Sequence, residues 1–155
     1  MYYDKREIEK ILKEVKAIAA SGTSRDEILQ AICVLLEKRI AYYDWVGFYI
    51  ADEEREELNL GPYVGDPTEH NRIAYGQGIC GQAAVTKKPF LVQDVRKETN
   101  YLSCSVKVMS EIVVPILKGK VFIGELDIDS HTVSPFTDRD ILLLESTCAV
   151  VAALF

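Results

Sequence analysis

The chain has 155 residues, 48% of them hydrophobic and 27% charged, which is about the size of one ordinary domain with enough apolar surface for a core. A formal charge of −6 and a pI near 5.0 argue against a polyanionic partner such as nucleic acid, which is held by Lys and Arg contacts to phosphate. No run of roughly 18 apolar residues is present, and the mixed charge of Met1-Tyr2-Tyr3-Asp4-Lys5-Arg6-Glu7 is unlike a signal peptide, so we expect one domain over residues 1–155, no membrane span and a cytoplasmic location.

In chain order, Ile8, Ile11, Leu12, Val15 and Ile18 repeat at helical spacing after Asp4 and Glu7, which resemble a capping pair. A second helix starts at Ser24 with Glu27 three residues on and places Ile28, Ile32, Leu35, Leu36 and Ile40 on one face. Gly22 separates the two. From Asp44 the period changes to two, with Val46, Phe48 and Ile50 on one side of a strand and Trp45, Gly47 and Tyr49 on the other. Two apolar faces mean that both sides are covered. A second strand runs through Leu58 and Leu60 to Gly61-Pro62, and a third lies near Ile73 to Tyr75. Gly76-Gln77-Gly78-Ile79-Cys80-Gly81 reads as a tight turn opening a short helix through Val85.

Phe90 to Val92 is a short strand. Gln93 to Ser110 has no period, and an irregular stretch of that length in a small domain is more often functional than idle. Ile112 to Leu117 and Val121 to Asp129 form a hairpin across Lys118-Gly119-Lys120. A last helix begins at about Thr137, with Ile141, Leu144, Cys148 and Val151 as its buried stripe. This order predicts an α+β fold: a central antiparallel sheet with helices packed on one face and a ligand pocket under loops on the other.

On the strand from Val121, alternation puts Phe122, Gly124, Leu126 and Ile128 on one face and Ile123, Glu125, Asp127 and Asp129 on the other. Three acids sharing a face repel one another, and a partly covered site would raise their pKa values unless a cation arrives. Pairing across the hairpin brings Glu111 near them. A pocket of this kind suits an ammonium group; the plainer reading is a solvated acidic edge. Trp45 and Tyr49, on one face of their strand, form a candidate aromatic wall for a small apolar or sulfonium-like group, with ordinary core packing as the alternative.

The four cysteines, Cys33, Cys80, Cys104 and Cys148, contain no C-x-x-C pair, and neither His70 nor His131 stands at metal-ligand spacing from a cysteine, so no metal and no cofactor is expected. Cys33 and Cys148 fall on apolar helical stripes and read as buried hydrophobes. Cys80 sits where a glycine turn opens a helix, a position that favours thiolate. Cys104 lies among Ser103, Ser105 and Lys107 in the irregular stretch. Each of these two is a reactive thiol or a bystander. The glycine turn lacks the Lys-Ser/Thr of a phosphate-binding loop.

Taken together, Trp45-Val-Gly-Phe-Tyr49, Gly61-Pro62, Gly76-Gln-Gly-Ile-Cys80-Gly81, Cys104 followed by Ser110-Glu111-Ile-Val-Val-Pro115, Gly124-Glu-Leu-Asp127-Ile-Asp129-Ser130 and Phe136-Thr137-Asp138 resemble the free methionine-(R)-sulfoxide reductases, a GAF-domain family. The resemblance covers about residues 44 to 140. It implies a GAF-like domain, Cys104 as the catalytic cysteine, Glu111, Asp127 and Asp129 as the pocket acids, and Trp45 and Tyr49 as the aromatic wall. The commoner form of the family has a further cysteine ten residues before Cys80, where this chain has His70, so the chain resembles a two-cysteine form in which Cys80 would resolve the sulfenic acid on Cys104. Glu125 stands where a hydrophobic residue is common. The implied reaction consumes free methionine sulfoxide, is recycled by thioredoxin or a comparable dithiol, and leaves room for a homodimer. The alternative is a GAF module that binds a small ligand or senses redox state without catalysis.

Overall fold

The computed structural model describes residues 4–102 and 105–155. Helices α1 (Lys5–Ala19) and α2 (Arg25–Arg39) lead into strands β1 (Trp45–Asp52), β2 (Glu57–Val64) and β3 (Arg72–Ala74). Helix α3 (Gly78–Thr86), strand β4 (Phe90–Val92), the hairpin β5 (Ser110–Lys118) and β6 (Val121–Ser130), and helix α4 (Asp138–Ala152) follow. The helix starts are the ones their caps predict. Asp4 accepts a hydrogen bond from the Glu7 N–H at 3.0 Å and Ser24 from the Glu27 N–H at 3.2 Å, each satisfying a donor that the first turn leaves open. Helix α4 has a full capping box, in which the Asp140 carboxylate accepts from the Thr137 N–H at 2.8 Å. Buried Asp140 also accepts from the hydroxyls of Tyr42 and Tyr43, so one carboxylate ties the last helix to the entry of β1.

The six strands form one antiparallel sheet in the order β3-β2-β1-β6-β5-β4. Helices α1, α2 and α4 cover one face, burying Ile11, Leu29, Ile32, Leu36, Leu144 and Val151 against Val46, Phe48, Ile112, Val114, Leu126 and Ile128. A fully buried side chain of this size contributes roughly 1.5–3 kcal/mol, which makes this three-helix layer the main core. Helix α3 and the loops around it close the other face over Trp45, Tyr49, Ile73, Ile79 and Val113. The expected α+β layering, with helices on one side and a loop-covered pocket on the other, is the one observed.

One face assignment differs from simple alternation. Phe122 packs with Trp45 and Tyr49 on the loop-covered side, while Ile123 packs toward the helices. A bulge causes the switch: Ile116 pairs with Gly124 but Leu117 pairs with Phe122, leaving Ile123 as an extra residue. From Gly124 onward the alternation is regular, so Glu125, Asp127 and Asp129 keep a common face. Among the described residues, no helix is long and apolar enough to cross a membrane.

Candidate active site

The loop-covered face of the sheet is organised by register. Strand β6 lies between β1 and β5, placing Trp45 opposite Asp129, Gly47 opposite Asp127 and Tyr49 opposite Glu125 on one side. On the other side Glu111 stands opposite Asp129 and Val113 opposite Asp127. The predicted acids and the predicted aromatic wall therefore form one contiguous patch across three neighbouring strands. None of it is a solvated edge: Glu111, Glu125, Asp127 and Asp129 are all at most 5% exposed.

Helix α3 roofs this patch. Its entry turn places Gly76 at φ 89° and Gly78 at φ 64°, conformations that side-chain-bearing residues rarely adopt. Asn100 fastens the turn from outside, accepting from the Gly78 N–H at 2.9 Å and donating to the Gly76 carbonyl at 2.8 Å. Gln82 donates to the carbonyls of Gly78 and Asn100. Leu102 lies over Gly78, where an added Cβ would come within 2.8 Å of it. The result is a small pocket of about 10 Å³, room for about one water, between the roof and the sheet. Tyr49, Cys80, Glu111 and Asp127 line it, together with Ile73, Ile79, Leu102 and the Gln77-Gly78 turn. Trp45 and Asp129 are the adjoining cross-strand pair.

The aromatic wall is held by backbone contacts. Trp45 stacks on Tyr63 with centroids 5.4 Å apart and lies 6.4 Å from the Tyr49 ring. Its indole Nε1 donates to the Asp66 carbonyl at 3.1 Å, and the Tyr49 hydroxyl donates to the His70 carbonyl at 3.0 Å. The segment after β2 thus closes the open end of the wall.

The carboxylates are in an unusual state. Neither oxygen of Glu125, nor Asp127 Oδ1, nor Asp129 Oδ2, meets an N–H or O–H donor among the described residues. Burial pushes all three carboxyls above the usual carboxylate range, Glu125 and Asp129 well above it. The Cys80 thiol opposes the rise at Glu125 and the charge of Asp127 adds to it; Asp127 also adds at Asp129. Hydrogen bonds from Glu111 moderate the rise at both aspartates. Like charges this close cannot all ionise, so the cluster retains protons that separate carboxylates would have lost.

Cys80 overturns one expectation. Its helix-start position would favour thiolate, yet burial and then the charges of Asp127, Glu125 and Glu111 push its thiol well above the ordinary value. Burial, with the acidic neighbours adding to it, outweighs one helix terminus. Cys80 Sγ lies 3.7 Å from Glu111 Oε2. Among the described residues, Sγ and one carboxylate oxygen each from Glu111 and Asp127 lie within 4.8 Å of one another. Cys33 and Cys148 are buried between α2 or α4 and the sheet, as expected. Cys104 lies outside the described residues.

The site also contains groups that periodicity did not mark: Tyr63 stacked on Trp45, the Asn100 lock and Leu102 in the roof. Tyr63 follows the Gly61-Pro62 pair, but Asn100 and Leu102 lie in the aperiodic stretch, where no spacing rule selects one residue over another. Chemically, the patch combines an apolar aromatic surface with carboxyl groups that can accept a cation on one side and supply a proton on the other.

The model of the GAF domain matches residues 24–154 of the chain. The chain is 34% identical over 132 residues to GAF domain-containing protein A of Dictyostelium discoideum, covering 85% of this chain and 82% of that one. It is also 34% identical over 128 residues to the free methionine-R-sulfoxide reductase of Escherichia coli, covering 83% and 76%. Its fold superimposes on the free methionine-R-sulfoxide reductase of Neisseria meningitidis, solved in complex with its substrate, with a TM-score of 0.91 at 29% identity, covering 100% and 93% of the two chains. With its matched span, its relatives and its site face in agreement, the chain belongs to the GAF-domain family, among the relatives of the free methionine-R-sulfoxide reductases.

Proposed function

We propose that this chain reduces the R-sulfoxide of free methionine to methionine, with Cys104 as nucleophile and Trp45, Tyr49, Glu111, Asp127 and Asp129 as the binding residues. The observation that carries the reading is the buried carboxyl cluster beside an aromatic wall at a small pocket. Free methionine sulfoxide has the matching parts: an α-ammonium group for the acids and a methyl sulfoxide for the rings. The relatives that bear the reductase name support the same substrate.

In this mechanism the Cys104 thiol attacks the sulfoxide sulfur and the oxygen passes to the thiol sulfur, leaving methionine and a sulfenic acid on Cys104. A carboxyl of the buried cluster protonates the departing oxygen, a role suited to an acid that holds its proton to higher pH than usual. Cys80 then condenses with the sulfenic acid, forming a disulfide and releasing water. Thioredoxin or a similar dithiol restores both thiols by exchange and is itself oxidised to its disulfide. The raised pKa of the Cys80 thiol makes it a slow spontaneous nucleophile, so a neighbouring carboxylate must take its proton during this second step. The reducing conditions of the cytoplasm would keep the resting thiols available for this cycle.

The test is turnover of the separate R and S epimers of free methionine sulfoxide with dithiothreitol as reductant. The R epimer should be consumed and the S epimer not, and Cys104→Ser should abolish turnover in a protein that remains folded. Peptide mapping after one turnover without reductant should find Cys80 linked to Cys104. Saturable binding of the sulfoxide with no methionine produced would instead identify a ligand-binding module.

A further inference from the structure

The geometry points to a second ligand for the same cavity: a borderline-soft divalent cation, Zn²⁺ in chemical class, held by Cys80 Sγ and one carboxylate oxygen each of Glu111 and Asp127. These three atoms lie within 4.8 Å of one another, and all three residues are at most 5% exposed. The 3.7 Å between Cys80 Sγ and Glu111 Oε2 is close to what a tetrahedral zinc ion requires. Zn–S near 2.3 Å and Zn–O near 2.1 Å, at a tetrahedral angle, separate sulfur from oxygen by roughly 3.6 Å.

A separate observation concerns one oxygen of Asp127. Asp127 lines the pocket, is 1% exposed, and among the described residues its Oδ1 has no hydrogen-bond donor. An unpaired polar atom at that depth is costly, and a metal ion would satisfy it directly. One thiolate and two carboxylates carry three negative charges, enough to bind a dication once the thiol proton and any proton held by the two carboxyls have left to solvent. The donor set also discriminates. Magnesium requires octahedral oxygen coordination and keeps several of its waters, which a pocket of about 10 Å³ with a sulfur on its wall does not accommodate. Zinc accepts sulfur and oxygen together at four-coordination, and the three protein ligands leave one position open toward the cavity.

The three residues come from α3, β5 and β6 and stand 31 and 16 positions apart in the chain, which is why no sequence spacing revealed them. A bound ion would also fill the space assigned to the methionine ammonium. That inhibitory consequence rests on the reductase reading; binding of the ion does not.

The experiment therefore uses no substrate. Reduced, chelator-treated full-length protein is titrated with Zn²⁺ by calorimetry and with Co²⁺ by absorption, and Mg²⁺ serves as the hard-cation control. One equivalent of Zn²⁺ should bind, and Co²⁺ should develop a thiolate-to-metal charge-transfer band in the near ultraviolet. Cys80→Ser should remove that band, and both Cys80→Ser and Asp127→Asn should weaken Zn²⁺ binding by about tenfold or more. Cys33→Ala and Cys148→Ala should leave both signals in place. The proposal is overturned by the absence of saturable Zn²⁺ binding, by binding that survives both Cys80→Ser and Asp127→Asn, or by a Co²⁺ band that depends on Cys104 but not on Cys80. Any of these results leaves the turnover assay with methionine sulfoxide to be judged separately.

Discussion

A Cβ built on Gly47 would stand 2.3 Å from Cη2 of Trp45, because the indole lies across the backbone of its own strand. The same atom would come within 2.9 Å of Cβ of Tyr63, so neither ring of the stack can withdraw without breaking their contact. Gly47→Ala should push the indole out of the wall while the helix-side core stays intact. The expected cost is about 1–3 kcal/mol of stability, as for other overpacked sites, with a fall of about tenfold in kcat/KM from the misplaced wall. The chain has a single tryptophan, so its fluorescence reports the ring directly. Unchanged emission together with unchanged kcat/KM would show that Trp45 does not shape the pocket.

Glu125 is fully buried, and among the described residues neither of its oxygens meets an N–H or O–H donor. Glu125→Leu should therefore stabilise the fold by about 1–3 kcal/mol, the penalty of an unsatisfied buried polar group. The pH dependence should change with it. Burial raises the Glu125 carboxyl well above the usual range, so between its unfolded and folded pKa values the native state holds a proton that the unfolded chain has lost. Its contribution is fully present below the unfolded pKa, near pH 4, and is lost as pH rises through the folded pKa, at up to about 1.4 kcal/mol per pH unit. Urea midpoints measured from about pH 5 to pH 8 should fall less steeply in Glu125→Leu than in the wild type. Equal slopes would place the titrating protons on other residues.

Local rules made much of this architecture legible. Asp4 and Ser24 announced their helices because a cap is a contact between residues a few positions apart, and period two marked β1 and the acids of β6 because neighbouring residues of a strand face opposite sides. What escaped was set by tertiary structure. The exchange of Phe122 and Ile123 between faces comes from a bulge opposite Ile116, and nothing in the alternation of β6 signals an unpaired residue. The position of Cys80 at a helix start was legible, but its electrostatics was not. The carboxylates that add to burial in outweighing the helix terminus reach it from β5 and β6, through a roof whose packing depends on Asn100 and Leu102.

Cys33 and Cys148 provide an internal control for the reactive thiols. Each thiol points at a backbone carbonyl 3.6 Å away, Pro62 for Cys33 and Val114 for Cys148, and burial pushes both far above the ordinary cysteine range. Neither should react with iodoacetamide in the native protein. Alanine at either position should cost about 1–2 kcal/mol for the lost contacts and leave turnover within about twofold. Rapid alkylation of either thiol without unfolding, detected by mass spectrometry, would contradict its place in the core.

The carboxyl cluster should make the enzyme selective for the free amino acid. Glu111, Asp127 and Asp129 are buried together with two orphaned aspartate oxygens among them, an arrangement that an ammonium group relieves by bringing donors and a positive charge. N-acetylation removes the charge and most of the donors and adds bulk, leaving the orphaned oxygens of Asp127 and Asp129 unsatisfied. Sites built around a polar group discriminate strongly against analogues that lack it. N-acetylmethionine-R-sulfoxide should therefore show a kcat/KM lower by about a hundredfold or more than the free amino acid. Asp127→Asn and Asp129→Asn should narrow that gap by depressing turnover of the free substrate more than that of the acetylated one. A pure rise in KM in either variant would assign that residue to ammonium binding alone, whereas a fall in kcat would mark it as the group that also protonates the sulfoxide oxygen. Comparable kcat/KM for the two substrates in the wild type would remove the carboxylates from substrate recognition.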